Sequence, residues 1–491
     1  MLATFSKHST KRLYPSRITG FYYAKKSFIL QSPFSTAKTP PSIRVLNKEY
    51  RADEWTNISP SISSKLDAHT LSIPAHPTNI LKQLVFSLFP TFAHYDSLSP
   101  IVSTYDNFDS LLIHKDHPSR AKSDSYYINK ETLLRTHTSA HQVQLLKAGS
   151  EKNTSLLSQN KNKNLDLASG NINKRFLLAA DVYRRDEIDA SHYPIFHQVE
   201  AVSTFSTKNL VDEIDADTKA RIDNTNKLAR SLNLNLNLAS TSDDLSSISK
   251  ENPIQSYHDE ESVILLSNHM KSTMNNLVSF ILSQVPSTSN SSADAQSPLP
   301  VRWIDASFPF TSPSWEMEVW WNNQWLEICG CGIMKQDLLI NSEMGDSIGW
   351  AFGFGLDRLA MILFGIPDIR LLWSNDERFI SQFTPGKITQ FSAFSKFSPC
   401  YKDISFWLPP ESNEFSFHEN DLSDLIREIA GNLVQDVKLV DSFTHPKTNL
   451  KSLCYRINYC SMDRNVTNEE INSLQNQLRE KVVEKFGVAL R

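Results

Sequence analysis

The stretch "DVYRRDEIDASHYPIFHQVEAV", residues 181–202, decides how this chain is read. Two arginines are followed by three carboxylates and a histidine, and then by a second polar pair set inside an apolar run. The flanking segments "FLLAADVYR" (176–184) and "IFHQVEAVS" (195–203) are strand-like and enclose the loop "RDEIDASHYP" (185–194). Side chains alternate faces along a strand, so Phe196, Gln198, Glu200 and Val202 share one face and His197, Val199 and Ala201 the other. Two polar groups on an otherwise apolar face are costly unless they meet something polar. Antiparallel pairing would bring Arg184 to the mouth of a pocket whose floor holds Gln198 and Glu200. A guanidinium there would clamp a phosphate in bidentate fashion, and a carboxylate would hold an ammonium group. On its own, the stretch reads equally well as an exposed hairpin with surface charges.

The rest of the chain narrows the choice. At 491 residues it is too long for one ordinary domain, and its 40% hydrophobic and 21% charged content suits a globular protein with a large core. No apolar run approaches the ~18 residues of a membrane span. The first 48 residues hold nine Lys or Arg and no acid, with many hydroxyl and aromatic side chains, the composition of a mitochondrial presequence. The remaining 41 basic and 54 acidic residues net −13, so there is no global electrostatic signal for nucleic acid, and any RNA contact must be local. Five cysteines (329, 331, 400, 454, 460) show no CxxC pair. A zinc site normally needs four ligands, so all five read as reduced thiols, with Cys329 and Cys331 on one face of a strand.

Residues 76–93 have helical apolar spacing at Ile80, Leu81, Leu84, Val85 and Leu88. The segment "LLRTHTSAHQ" (133–142) crowds hydroxyls and imidazoles together, either as a helix cap or as the polar wall of an amino-acid site. Seven of the 13 glycines lie between 330 and 365, around "GWAFGFGLDRLAMILFGIP" (349–367). That segment is not GxGxxG within a βαβ unit; it reads as a strand entering a helix, with Arg358 early in the helix. The stretch 307–334 is strand material with a turn at Asn322-Asn323. Residues 148–173 are Asn/Ser/Lys-rich and 203–300 read as an insertion of little chemistry, although 258–284 has the pattern of one amphipathic helix. From about residue 400 the order is strand, helix, strand, strand, helix, strand. This is the ferredoxin-like βαββαβ arrangement, with a capping-box pattern at Thr467 and Glu470.

Taken in this order the segments resemble a class II aminoacyl-tRNA synthetase and, more narrowly, the single-chain mitochondrial phenylalanyl type. "VYRRDEIDASHYPIFHQVE" is similar to that family's motif 2, "GWAFGFGLDRLAM" to motif 3, "FPFTSPSWEMEV" and "WLEICGCGIM" to its phenylalanine-pocket strands, and "NFDSLLIHKDHPSR" with "LLRTHTSAHQ" to the region after motif 1. The resemblance implies an α+β fold: an antiparallel-sheet catalytic domain with helices over 49–390, then a ferredoxin-like anticodon-binding domain over 398–491. It also implies ATP, Mg²⁺, phenylalanine and tRNA(Phe) as partners, a monomer, and a place in the mitochondrial matrix.

Roles carry over residue by residue. Arg184 would grip the α-phosphate of ATP, and Arg358 would stack on adenine and reach the γ-phosphate. Gln198 and Glu200, helped by His137 and Ser139, would hold the amino group of phenylalanine. Ala140, His141, Gln142 and Val199 would belong to the same amino-acid site. Phe308 and Phe310 would pack edge-to-face on the substrate ring, with Ala351 leaving it room. Asp186, Ser191, His192, Tyr193 and Phe352 would serve the nucleotide, and Glu327 would sit near Mg²⁺ and ATP. Arg185 and Asp189 are expected to be solvated neighbours. Motif 3 in this family usually reads Glu-Arg. Here Asp357 keeps the charge but is one methylene shorter, which moves the contact it orients. Removing residues 400–491 is expected to spare amino-acid activation and impair tRNA charging. No segment resembles an editing domain.

Overall fold

A computed structural model describes residues 41–150, 174–234, 236, 240–241, 248–284, 300–321, 324–374, 376–393, 399–409, 417–462 and 464–491. Most of the basic leader, the tract 151–173, most of the connector 286–300 and the turn Asn322-Asn323 lie outside the described residues.

The chain enters through a hairpin, β1 (Ser42–Val45) and β2 (Lys48–Arg51). Val45 is 1% exposed and belongs to the main core. Residues 42–48, grouped with the basic leader by charge, are therefore part of the folded domain; apolar burial, and not the absence of acids, fixes that limit. Helix α1 (Pro77–Leu88) follows, with His76 as N-cap accepting from the Thr78 N–H and proline at its first position. Its Ile80, Leu81, Leu84, Val85 and Leu88 are all buried, as their spacing predicts.

Next come β3 (Ala93–Tyr95), a 3₁₀ turn (Thr138–His141) leading into α2 (Gln142–Ser150), β4 (Arg175–Tyr183), β5 (Ile195–Ser206) and α3 (Leu210–Ser231). The catalytic region is completed by β6 (Ser240–Thr241), α4 (Glu260–Leu282), β7 (Pro300–Phe308), β8 (Thr311–Trp321), β9 (Gln324–Met334), β10 (Ser347–Gly355) and α5 (Leu356–Phe364). Eight strands form one sheet in the order β3-β4-β5-β10-β9-β8-β7-β6, antiparallel except for its two edge pairs. One face carries the main core with α1, α4 and α5; the opposite face carries a second apolar cluster that contains Phe308, Phe310 and Ala351.

The reading of 203–300 as an insertion needs correction. Ser203–Ser206 complete β5, and 13 of the 23 residues of α4 are buried against the sheet. Val263, Leu266, Met270 and Met274 are fully buried, each worth about 1.5–3 kcal/mol relative to exposure. The polar residues that disguise this helix have partners inside: the Trp350 indole N–H donates to His269 Nδ1 at 3.0 Å, and His269 Nε2 lies 3.1 Å from Asp217.

The C-terminal domain consists of β11 (Cys400–Trp407), α6 (Glu419–Ala430), β12 (Val434–Thr444), β13 (Lys451–Tyr459), α7 (Asn468–Phe486) and β14 (Ala489–Leu490). Its sheet order β12-β13-β11-β14, all antiparallel, is that of the ferredoxin-like fold. Thr467 caps α7 by accepting from the Glu470 N–H at 3.2 Å, but the Glu470 carboxylate turns to Arg464 instead of closing the capping box. All five cysteines are free thiols, and Cys329 and Cys331 are buried on the core face of β9.

Candidate active site

β5 supplies the floor of the site. Glu200 is 1% exposed, and its carboxylate accepts from Thr138 Oγ1 at 2.8 Å, from Ser139 Oγ at 2.6 Å and from the Gln142 amide. Burial raises its pKa, and these three donors offset part of that rise. Gln198 Oε1 accepts the Thr138 backbone N–H at 3.3 Å. The turn 138–141 thus presents its donors to β5, which is why "THTSAHQ" carries so many hydroxyls.

Around this floor several buried polar atoms have no hydrogen-bond partner among the described residues: both ring nitrogens of His137, Oε1 of Gln142 and Nη2 of Arg184. Buried polar groups are nearly always paired, so such a concentration beside one carboxylate marks the seat of a polar ligand. Burial, with the Arg184 charge second, depresses the His137 pKa to about 3, leaving a neutral imidazole able to accept a hydrogen bond.

The apolar half of the pocket lies on the same face. Phe308, Phe310, Ala140, Val202 and Ala351 belong to one buried cluster, with Ala351 opposite Val202 in the β5–β10 ladder. The two phenylalanine rings lie 6.4 Å apart at 20°, and His137 stacks at 6.4 Å from Phe310. Across the sheet Ala351 pairs with Gly332, where an added Cβ would come within 2.7 Å of the Pro313 carbonyl oxygen and Thr311 Cβ. Close approach of the 311–313 segment therefore requires glycine at this position.

Arg184 leaves β4 with its backbone N–H bonded to Pro194 O, Nε donating to Thr136 O at 2.8 Å, and its guanidinium 5.1 Å over the Phe196 ring. Burial lowers its pKa, opposed by the charges of Asp186 and Glu327. Arg358, in the first turn of α5, is exposed and has no hydrogen-bond or ion-pair partner among the described residues.

Glu327 reaches this face through an irregularity. The β8–β9 ladder pairs Met317 with Cys329 but Glu318 with Glu327, so Ile328 is an extra residue on β9. Without that bulge, alternation from Cys329 and Cys331 would turn Glu327 into the core. Glu316, on β8, was not singled out from the sequence. Its pKa is raised, first by burial and then by the Glu327 carboxylate. The signal available was the alternation of Glu316 and Glu318 with core Trp315, Met317 and Val319.

Several expected site residues lie elsewhere. Val199 and Phe352 face the main core, opposite Glu200 and Ala351, because strand alternation allows nothing else. The ring of His141 is 3.2 Å from Arg135 Nη1 and 3.3 Å from Gln144 Oε1, and joins neither Gln198 nor Glu200. Tyr193 stacks on Trp373 at 5.6 Å and donates its hydroxyl to Asn432 of the C-terminal domain at 2.9 Å. Asp189 is an organiser of the loop: it accepts from the backbone N–H groups of Ser191 and His192 and meets the His192 ring at 2.7 Å. That ring bond holds the His192 pKa above its ordinary value. Asp186 places its backbone, and not its carboxylate, in the domain contact described below.

Asp357 is 2% exposed and accepts from the His197 backbone N–H at 2.5 Å and from its ring, locking α5 to the back of β5. His197 also meets Thr70 Oγ1 at 2.6 Å and stacks on Trp373 at 5.0 Å. Asp357→Ala would orphan buried donors, an expected loss of about 3 kcal/mol. Chemical denaturation of wild type and variant measures it as a lower midpoint at unchanged slope.

Fold and site together define a class II tRNA synthetase. Residues 63–213 and 271–383 match the class II core domain (F) of tRNA synthetases, and 395–491 match the ferredoxin-fold anticodon-binding domain. The mitochondrial phenylalanine–tRNA ligase of Saccharomyces cerevisiae is 44% identical over 472 residues, covering 93% of this chain and 97% of the yeast protein. The Mus musculus mitochondrial enzyme is 39% identical, with 91% and 88% covered, and the chloroplastic/mitochondrial enzyme of Arabidopsis thaliana 35%, with 100% of both. The chain belongs to the mitochondrial phenylalanine–tRNA ligase family.

Proposed function

We propose that this chain activates phenylalanine with ATP and transfers it to the terminal adenosine of tRNA(Phe) for mitochondrial translation. The observation that carries the reading is the cluster of unpartnered buried polar atoms around Glu200, next to an apolar recess lined by Phe308, Phe310 and Ala351. The ammonium group of phenylalanine pairs with Glu200 and Gln198, and its ring enters the recess. Neutral His137 accepts a hydrogen bond from a remaining ammonium N–H. The carboxylate of phenylalanine attacks the α-phosphate of ATP in line and pyrophosphate leaves, so no protein nucleophile is needed. Arg184 neutralises the charge developing on the α-phosphate, and Arg358, free at the surface, takes the adenine and γ-phosphate. Most of the rate enhancement comes from positioning and charge stabilisation. The acyl group then passes to the 2′-hydroxyl of the terminal adenosine.

Glu316 and Glu327, carboxylates on the same face of the paired strands β8 and β9, supply the oxygen donors that a hard divalent cation takes and would hold Mg²⁺. The ion would supply positive charge for the ATP phosphates. The apolar recess offers a phenolic hydroxyl no partner, which rejects tyrosine by only about 10²-fold. The protein acts as a monomer in the mitochondrial matrix, addressed by a cleavable basic segment that ends before the β1–β2 hairpin. Phenylalanine-dependent ATP–pyrophosphate exchange tests the reading; folded wild-type protein that shows none with Mg²⁺ present overturns it.

The tRNA anticodon lies on the open face of the C-terminal sheet. There Trp407 and Phe443 meet edge-on at 6.1 Å, and the Arg491 guanidinium lies 5.7 Å from one ring and 5.9 Å from the other. Base-on-aromatic stacking contributes about 1–3 kcal/mol per base. Trp407→Ala is therefore expected to raise the KM for tRNA in aminoacylation about tenfold or more while exchange stays at the wild-type level.

A further inference from the structure

The loop between β4 and β5 is held from outside its own domain. Four consecutive carbonyl oxygens accept hydrogen bonds from the C-terminal domain: Arg185 O from Asn420 Nδ2 at 3.2 Å, Asp186 O and Glu187 O both from Arg427 Nη2 at 2.6 Å, and Ile188 O from the Val437 N–H at 3.0 Å. The Ile188 side chain is 6% exposed and lies within the apolar core of the C-terminal domain. Arg185, expected from the sequence to be solvated, is 7% exposed. Its Nε meets Asp424 at 2.6 Å, Nη2 meets Asp421 at 2.7 Å, and Nη1 donates to Lys122 O. Asp424 in turn accepts from Tyr126 Oη at 2.8 Å and from Arg427 at 3.2 Å.

A solvated loop would leave those carbonyls to water and its backbone free to drift. Here the four carbonyls from 185 to 188 are held by donors on α6 and β12. Arg184, one peptide bond away, still has an unpartnered guanidinium nitrogen. We propose that the C-terminal domain sets the geometry of the nucleotide loop, with Arg427 and Asn420 acting as positioning residues for amino-acid activation as well as belonging to the tRNA-binding module. This rests on the reading of Arg184 as the α-phosphate ligand. It revises the expectation that the C-terminal domain is dispensable for activation.

The test is exchange kinetics on the full-length enzyme with Arg427→Met, Arg427→Lys and Asn420→Ala, each checked for folding by circular dichroism. Arg427→Met is expected to raise the KM for ATP about tenfold and leave the KM for phenylalanine within twofold. Arg427→Lys, whose ammonium can still reach a carbonyl, recovers part of the loss. Asn420→Ala, which removes one half-exposed donor, gives a smaller shift of the same kind and serves where Arg427→Met does not fold. Folded variants with wild-type ATP kinetics, or an equal rise in both KM values, overturn the proposal. Arg184→Ala, run in parallel, separates the two readings: retained exchange in that variant discards the nucleotide role of the loop itself, independently of Arg427.

Discussion

Arg184→Ala is expected to remove phenylalanine-dependent ATP–pyrophosphate exchange almost entirely, with kcat/KM down by about 10³-fold or more and the circular dichroism spectrum unchanged. The size follows from where the guanidinium sits. Its Nε is already committed to Thr136 O, which fixes the planar group, while Nη2 is buried with no partner. The desolvation cost has thus been met in the free protein, and the full charge-assisted interaction is available to the phosphate. Stability should hold, because truncation deletes the orphaned nitrogen together with its single backbone bond. A loss confined to KM for ATP, with kcat intact, would mean that Arg184 binds nucleotide equally in ground and transition states.

Glu200→Gln is expected to cost about 10²-fold in kcat/KM for phenylalanine, the range for removing one member of a buried charge pair. A pH signature accompanies it. Burial raises the Glu200 pKa in the empty protein. The folded chain therefore holds that proton more tightly than the unfolded chain. The contribution to stability is fully present below the unfolded pKa and is lost as pH rises through the folded one. An ammonium group bound to the carboxylate restores it. The rise in melting temperature produced by phenylalanine should accordingly grow with pH across that window, and the KM for phenylalanine should increase as pH falls through it. In Glu200→Gln both trends should be flat. A wild-type ligand shift independent of pH over the titration range of Glu200 would remove it as the ammonium partner.

How much of this could be read from sequence depends on whether a residue's partner is local. The face shared by Gln198 and Glu200 follows from strand alternation, and so does the exclusion of Val199 from it. The six elements of the C-terminal domain follow from periodicity and capping. Glu327 sits on the site face for a reason alternation cannot supply, since the extra Ile328 in the ladder reverses the parity set by Cys329 and Cys331. Helix α4 is legible as an amphipathic helix but its place in the core is not, because its buried His269 and Lys271 look solvated until Trp350 and Asp217, or the Trp315 ring 4.3 Å from Lys271, are placed beside them. The partner of Asp357 and the burial of Arg185 escape sequence reading for a related reason. Their partners lie 160 and 239 residues away, at His197 and Asp424, so no local window contains them.

The carbonyl contacts to the nucleotide loop bear on how such proteins can be recombined. The loop offers four main-chain oxygens together with the side chains of Arg185, Ile188 and Tyr193, so much of the contact depends on where the C-terminal module places its donors and on few loop side chains. A transplanted module could therefore keep a perfect RNA-reading surface and still leave the recipient slow at the first chemical step. Swaps between relatives should succeed or fail according to the inward-facing helix that carries Asn420 and Arg427.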